Sequence, residues 1–168
     1  MDETLHIRPA ADRDLDRLAA MMVELHRHLA LPPSPATPAL LWAQLSAEPP
    51  PFACLVAERT GTLVGYAAYC DFYNSDYMAR GFWLCDLFVD PALRSAGAGR
   101  ALLAELSRIA VEQERVSIWW GVHRTNLRAI GFYDRIGAGD FQVDLRELET
   151  DALQALAAEA RAGAGSAT

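Results

Sequence analysis

The 168-residue chain has no cluster of basic residues, no apolar run long enough to cross a bilayer, and only three cysteines. Each absence removes a class of function. A nucleic-acid binder must neutralise phosphates and carries a basic face to do so, whereas here 22 acidic residues outweigh 15 basic ones and the net charge is −7. A spanning helix needs about 20 consecutive apolar residues. The acidic start, Met1-Asp2-Glu3-Thr4, lacks the basic-then-apolar layout of an export signal. Cys54, Cys70 and Cys85 are odd in number, far apart and set in apolar runs, which speaks against a disulfide framework and against a zinc site. The expectation is a cytoplasmic protein with no metal and no nucleic-acid or membrane partner.

What is there reads as one globular domain. Hydrophobic residues make up 52% and charged residues 22%, and the length supports one core but not two comfortable ones. Leu5-His6-Ile7-Arg8 alternates as a short strand. Ala11 to Leu29 has apolar residues at helical spacing, and Thr37-Pro38 offers an N-cap and an N1 proline for a second helix reaching Ala47. Phe52 to Glu58 and Leu63 to Tyr73 are β-branched and aromatic runs joined by the turn signal Arg59-Thr60-Gly61-Thr62. Phe82 to Val89 is a fourth strand. Helical spacing returns from Gly97 to Gln113, Val116 to Val122 is a buried strand, and Thr125 to Ile136 is a helix closed by Gly137. Phe141 to Leu145 alternates as a last strand, Asp151 to Arg161 is helical, and residues 163–168 form a frayed tail. The domain thus spans residues 1–162 in the order β-α-α-β-β-β-α-β-α-β-α. The helix between the fourth and fifth strands makes that pair parallel with a right-handed crossover, in a mixed α/β sheet.

Chemistry concentrates where the fourth strand meets the next helix. There Leu87-Phe88-Val89-Asp90-Pro91 leads into Arg94-Ser95-Ala96-Gly97-Ala98-Gly99-Arg100. The first turn of a helix presents unpaired N–H groups and the positive end of the peptide dipoles to an anion. Gly97 and Gly99 let a phosphate approach the backbone, and Arg94 and Arg100 add charge. The glycines alone fit a turn that binds nothing equally well. A dinucleotide fold is disfavoured, because the spacing is not Gly-x-Gly-x-x-Gly and no second βαβ half follows.

Arg94-x-x-Gly97-x-Gly99 in this position resembles the acetyl-CoA motif of the GNAT acetyltransferases. The run Asn126-Leu127-Arg128-Ala129-Ile130-Gly131-Phe132-Tyr133-Asp134-Arg135-Ile136-Gly137 resembles the same family's Asn-x-x-Ala-x-x-Phe-Tyr-x-x-x-Gly segment. The resemblance implies the GNAT fold with splayed fourth and fifth strands, acetyl-CoA as co-substrate, and a homodimer. It implies that the amides of Arg94 to Arg100 hold the pyrophosphate and that the main chain of Leu87, Phe88 and Val89 bonds the pantetheine arm. Asn126, Ala129 and Tyr133 share one helical face. By resemblance Asn126 meets the cofactor arm and Tyr133 protonates the departing thiolate, as a hydroxyl of pKa about 10 is able to do.

From Phe82 through Ala138 the chain is most similar to the diamine (spermidine/spermine) acetyltransferase branch, which carries Glu-Asp where this chain has Cys85-Asp86. Asp86 is therefore a candidate base for the acceptor ammonium, or else a structural carboxylate. Cys85 reads as a buried small residue. The branch's acidic contact after the first helix is missing, and His26 and His28 stand there as solvated helix residues. Asp71, Tyr73, Asp76 and His123 are candidate contacts for a small cationic amine; they read equally as turn and strand-end residues. The rivals are a protein or peptide acceptor and a non-catalytic acyl-CoA-binding module.

Overall fold

A computed structural model describes residues 4–93 and 97–164, the last four of these as backbone only. Arg94, Ser95 and Ala96 of the expected phosphate loop lie outside the described residues. The chain divides into two compact units, Met1–Val122 and His123–Thr168.

The first unit is built on one sheet of five strands in the order β1-β2-β3-β4-β5. These are β1 (Leu5–Pro9), β2 (Ala53–Arg59), β3 (Thr62–Asn74), β4 (Ala79–Val89) and β5 (Ile118–Trp119). The first four pair antiparallel. β4 and β5 pair parallel, as the intervening helix predicts. The β2–β3 hairpin closes through Thr60 and Gly61, both at positive φ (49° and 76°), which is the backbone that a tight two-residue turn requires.

Helices α1 (Leu15–His28) and α2 (Pro38–Leu45) cover one face of the sheet, and α3 (Ala98–Glu112) covers the other. Alternation along the strands supplies both cores. Cys54 and Val56 of β2, Tyr66 and Ala68 of β3 and Phe88 of β4 join the α1/α2 cluster. Leu55, Ala57, Ala67 and Tyr69 are buried on the opposite side with Leu102, Leu103 and Leu106 of α3. The expected N-cap of α2 is present, with the Thr37 hydroxyl accepting from the Leu40 N–H at 3.2 Å. At the sheet edge, Asp14 is buried beneath Arg8, which donates to it at 2.6 and 2.9 Å and also to Glu58.

The second unit holds α4 (Leu127–Arg135) and α5 (Thr150–Ala164). The strand expected over Phe141 to Leu145 does not form. Phe141, Val143 and Leu145 are 64%, 68% and 67% exposed. Gln142 sits at a φ of 52°, and its N–H is held by the Asp140 carboxylate at 2.8 Å. This local turn interrupts the extended backbone that the alternation suggested. The expected fifth strand also shrinks, from Val116–Val122 to Ile118–Trp119.

Candidate active site

β4 changes neighbours along its length. β5 meets it only at Phe82↔Ile118 and Trp83↔Trp119. Gly81 sets this approach: a Cβ there would lie 2.6 Å from the Phe72 ring, 2.9 Å from the Ser117 hydroxyl and 3.0 Å from the Ser117 carbonyl. From Leu84 onward no β5 residue faces β4 among the described residues, while β3 continues opposite as far as Gly65↔Val89. The pairing of β4 with β5 thus ends at Trp83 and Trp119, where the resemblance implies that the strands splay. A strand edge offers N–H and C=O groups to an extended, amide-bearing ligand, and a pantetheine arm is one. Leu87 and Phe88 lie on this stretch, and Val89 ends it opposite Gly65.

Just before that stretch the sheet carries a bulge. Ala68 faces Asp86, whereas Tyr69 faces Leu84, so Cys85 is an extra residue on β4. Its effect is to exchange faces. Phe82 and Leu84 lie on the α3 side with Tyr69, yet Asp86 and Phe88, also at even numbers, lie on the α1 side with Ala68 and Tyr66. Without the bulge Asp86 would point at α3. With it, Asp86 accepts a hydrogen bond from the Tyr66 hydroxyl at 3.1 Å. Burial pushes the Asp86 pKa up; the Tyr66 bond, and next the charge of nearby His26, pull partly the other way. Tyr66 is fully buried, and burial beside Asp86 holds its own pKa far above the usual tyrosine value, so it remains a donor.

His26 lies near the end of α1 and is partly exposed. Its Nδ1 lies 2.8 Å from the Pro32 carbonyl. A carbonyl only accepts, so Nδ1 carries the proton. No sequence motif marks either Tyr66 or His26. Only the pairing of Tyr66 with Phe88 across β3 and β4, and the turn after α1, bring them to Asp86.

Past the end of β4 a cleft of about 570 Å³ is lined by Glu24, Arg27 and His28 of α1 and by Phe88, Asp90, Pro91 and Ala92. Its two carboxylates are both tied to Arg17, at 3.2 Å from Glu24 and 3.0 Å from Asp90. Arg27 makes no ion pair among the described residues, so while Arg17 and Arg27 together balance the two carboxylates, the Arg27 guanidinium is the cation left to meet an anion. Nearby in sequence, Gly97 is the N-cap of α3 at a φ of 84°, and its missing Cβ faces open space. Among the described residues no side chain caps this end, so the first-turn amides of Ala98, Gly99 and Arg100 remain for an anion. Ala98 is buried, and Arg100 is exposed.

In the second unit Asn126 caps α4, its side-chain oxygen accepting from the Ala129 N–H at 3.2 Å. What Asn126 has left to offer a ligand is its amide NH₂. Tyr133 stacks obliquely on Phe132, with centroids 5.3 Å apart, and burial pushes its pKa up to about 12. His123 does not end the fifth strand as expected; β5 stops at Trp119, and His123 is an exposed residue whose carbonyl accepts from the Asn126 N–H at 2.8 Å.

The sequence model of the Acetyltransferase (GNAT) family matches residues 19–138. The chain belongs to the GNAT acetyltransferase family. It is 33% identical over 95 residues to an L-ornithine N5-acetyltransferase of Arabidopsis thaliana, covering 56% of this chain and 42% of that protein's length. It is 28% identical over 143 residues to a thialysine N-epsilon-acetyltransferase of Sus scrofa, covering 80% of this chain and 84% of that one. The fold matches an integron cassette protein from the V. cholerae mobile metagenome with a TM-score of 0.75 at 24% identity, over 91% of this chain and 97% of that one. It also matches an aminoglycoside N-acetyltransferase solved with CoA, with a TM-score of 0.74 at 16% identity, over 89% and 97% of the two chains.

On this GNAT sheet the acceptor candidates fare unequally. Asp71 is taken up by Arg115, at 2.8 and 3.2 Å, and lies 3.7 Å from Arg80, so its charge is already met. Tyr73 is exposed, its hydroxyl 3.4 Å from the Met78 sulfur, and Asp76 is exposed in the β3–β4 turn. Cys85 corrects its expectation: it is exposed, not buried.

Proposed function

We propose that the protein transfers the acetyl group of acetyl-CoA to the primary amine of a small cationic molecule, of diamine or amino-acid type, by direct attack. The observation that carries this reading is Asp86, turned by the bulge onto the α1 face, held by Tyr66, and set on β4 just past its last pairing with β5. A carboxyl with a raised pKa is a better proton acceptor than an ordinary carboxylate. Asp86 takes the ammonium proton, directly or through water. The freed amine forms the bond to the acetyl carbon as the carbon–sulfur bond breaks, Tyr133 gives its proton to the departing thiolate, and the proton shed by the acylated nitrogen restores Tyr133 through solvent. Leu87 to Val89 hold the pantetheine arm. The loop Arg94 to Arg100 holds the pyrophosphate, and Arg27 of the cleft past β4 is a further cation for it. Asn126 donates its amide to the arm, and Ala129 leaves room for it.

Two relatives are named for transfer to side-chain amines, of ornithine and of thialysine, which favours an acceptor of that size. The test is thiol release from acetyl-CoA against ornithine, thialysine, spermidine, short diamines and a lysine peptide. The chain contains no lysine, so acetyl found on a side-chain amine belongs to the acceptor. Release with a small amine is expected. Release with the peptide alone would replace the reading by protein acetylation, and cofactor binding without release for any amine would end it. The homodimer is part of the same proposal, and light scattering at assay concentration checks it.

A further inference from the structure

Cys70 and Cys85 are 15 residues apart, and the β3–β4 register brings their Sγ atoms to 3.9 Å. Cys70 lies two residues beyond Ala68 on β3, hence on the α1 face with Tyr66 and Ala68. Cys85 is the bulge residue itself, next to Asp86. We propose that Cys70 and Cys85 form a dithiol site that a peroxide closes to an intrachain disulfide, and that closure slows acetyl transfer by pulling the bulge that aims Asp86. The first half stands on the thiol geometry alone; the second rests on Asp86 being the base.

The chemistry is a two-electron oxidation of the pair. Cys85 is exposed and Cys70 is half-buried, so Cys85 meets the oxidant first. Its thiolate attacks the peroxide, the oxygen–oxygen bond breaks, and Cys85 becomes a sulfenic acid while hydroxide leaves and takes a proton to become water. The Cys70 sulfur then displaces the sulfenic oxygen, which departs as a second water with the Cys70 proton. In sum two thiols and one hydrogen peroxide give one disulfide and two waters.

A disulfide bond is about 2.05 Å long, so the sulfurs approach by roughly 2 Å. Rotation about the two Cα–Cβ bonds supplies part of this, and the bulge, where β4 is not locked in the ladder, supplies the rest. Although Cys85 reaches solvent, the protein packed around one side of its thiol partly desolvates it, and this together with the neighbouring Cys70 pushes its pKa up to about 12. Little thiolate is present at neutral pH, and closure therefore takes sustained peroxide rather than a trace. Cys54, the third thiol, is buried within the α1/α2 cluster and is kept protonated by its burial.

The full chain is treated with excess hydrogen peroxide, freed of it, and divided between thiol counting after denaturation, peptide mapping and the acetyl-transfer assay. The expected result is loss of two of the three thiols, a mass lower by two hydrogens, and a linked Cys70–Cys85 peptide. Misplacing a catalytic group by about 1 Å costs up to about 100-fold, so the rate is expected to fall at least about tenfold and to return with dithiothreitol. Cys70→Ser is expected to transfer acetyl at the untreated wild-type rate before and after peroxide, and Cys85→Ser to keep after peroxide whatever rate it has before. Sulfinic acid without a linked peptide overturns the site. A linked peptide with an unchanged rate, or an equal loss in Cys70→Ser, overturns the effect on transfer. Asp86→Asn is run beside them. If it transfers acetyl like the wild type, the assignment of Asp86 as base fails, while the linked peptide still decides whether the dithiol site exists.

Discussion

Replacing Asp86 by asparagine removes the charge and keeps the shape. Asp86→Asn separates a catalytic carboxylate from a structural one because the two roles predict opposite effects on stability. Burial raises the pKa of Asp86 in the fold. An acid whose folded pKa exceeds its unfolded value favours the fold most when protonated; stability is lost as pH rises from the unfolded value through the folded one, and at neutral pH the buried charge is a cost. Asparagine has no charge to bury, and its side-chain oxygen can still accept from the Tyr66 hydroxyl, which lies 3.1 Å from the carboxylate now. The variant is expected to melt no lower than the wild type at neutral pH, and its stability should vary less with pH in the weakly acid range. General-base assistance contributes about 100-fold or more, so kcat/KM for the amine should fall by at least about that factor. The companion change, Tyr66→Phe, removes a bond that favours the charged form. Hydrogen bonds to charged groups are worth about 1.5–3 kcal/mol, and their loss moves the acid limb of the kcat/KM profile to higher pH. Thermal melts and pH–rate profiles on the three proteins read all of this. An Asp86→Asn protein that melts lower yet turns over normally would refute the reasoning and make Asp86 a structural group. An unmoved acid limb in Tyr66→Phe would show that Tyr66 does not tune it.

Arg27→Ala should raise KM for acetyl-CoA about tenfold, the worth of one charge-assisted contact to phosphate, with kcat for the amine near wild type; an unchanged KM would remove Arg27 from the cofactor site. Tyr133→Phe should lower kcat with little change in KM. Since the Tyr133 pKa lies at about 12, the wild type should show no alkaline loss of activity from this group up to about pH 10. Gly65→Ala would put a Cβ 2.5 Å from the Phe88 carbonyl, so thermal unfolding should show a loss of about 1–3 kcal/mol as β4 is pushed away from β3. Arg8 lowers the pKa of Asp14, so that pair stabilises the fold at neutral pH and the contribution fades as pH falls through the depressed pKa. Asp14→Ala should cost about 2 kcal/mol at neutral pH and progressively less in acid, as read by urea unfolding.

The sequence carried the sheet well where local chemistry decides the structure. The Thr60-Gly61 turn, the Thr37 cap and the αα and ββ periodicities each depend on residues within a few positions of one another, and all appear where expected. It failed at Phe141 to Leu145, where alternation promises a strand only if a partner takes the hydrogen bonds and where the Asp140 side chain offers the backbone a turn instead. Asp71 looked like an acceptor contact because its partner, Arg115, lies 44 residues away. Arg17 and Tyr66 were invisible for the same reason: each acts on the site through a partner that only the tertiary structure supplies.

The bulge at Cys85 shows why some of the site could not be read from the chain at all. In the near-continuous apolar run Phe82-Trp83-Leu84-Cys85-Asp86-Leu87-Phe88, the two-residue repeat of a regular strand puts Phe82, Leu84, Asp86 and Phe88 in one set. Taken as a regular strand it puts the Asp86 carboxylate among the apolar side chains under α3, where its charge would go unpaired. One extra residue resolves this conflict by sending Phe82 and Leu84 to one face and Asp86 and Phe88 to the other. Nothing in the residue types announces it, because a bulge is a property of two strands and their register rather than of either alone. The same register that turns the carboxylate toward Tyr66 also turns Cys85 toward Cys70. The candidate base and the dithiol are thus two consequences of one irregularity, so a substitution that restores regular pairing there should disturb both together.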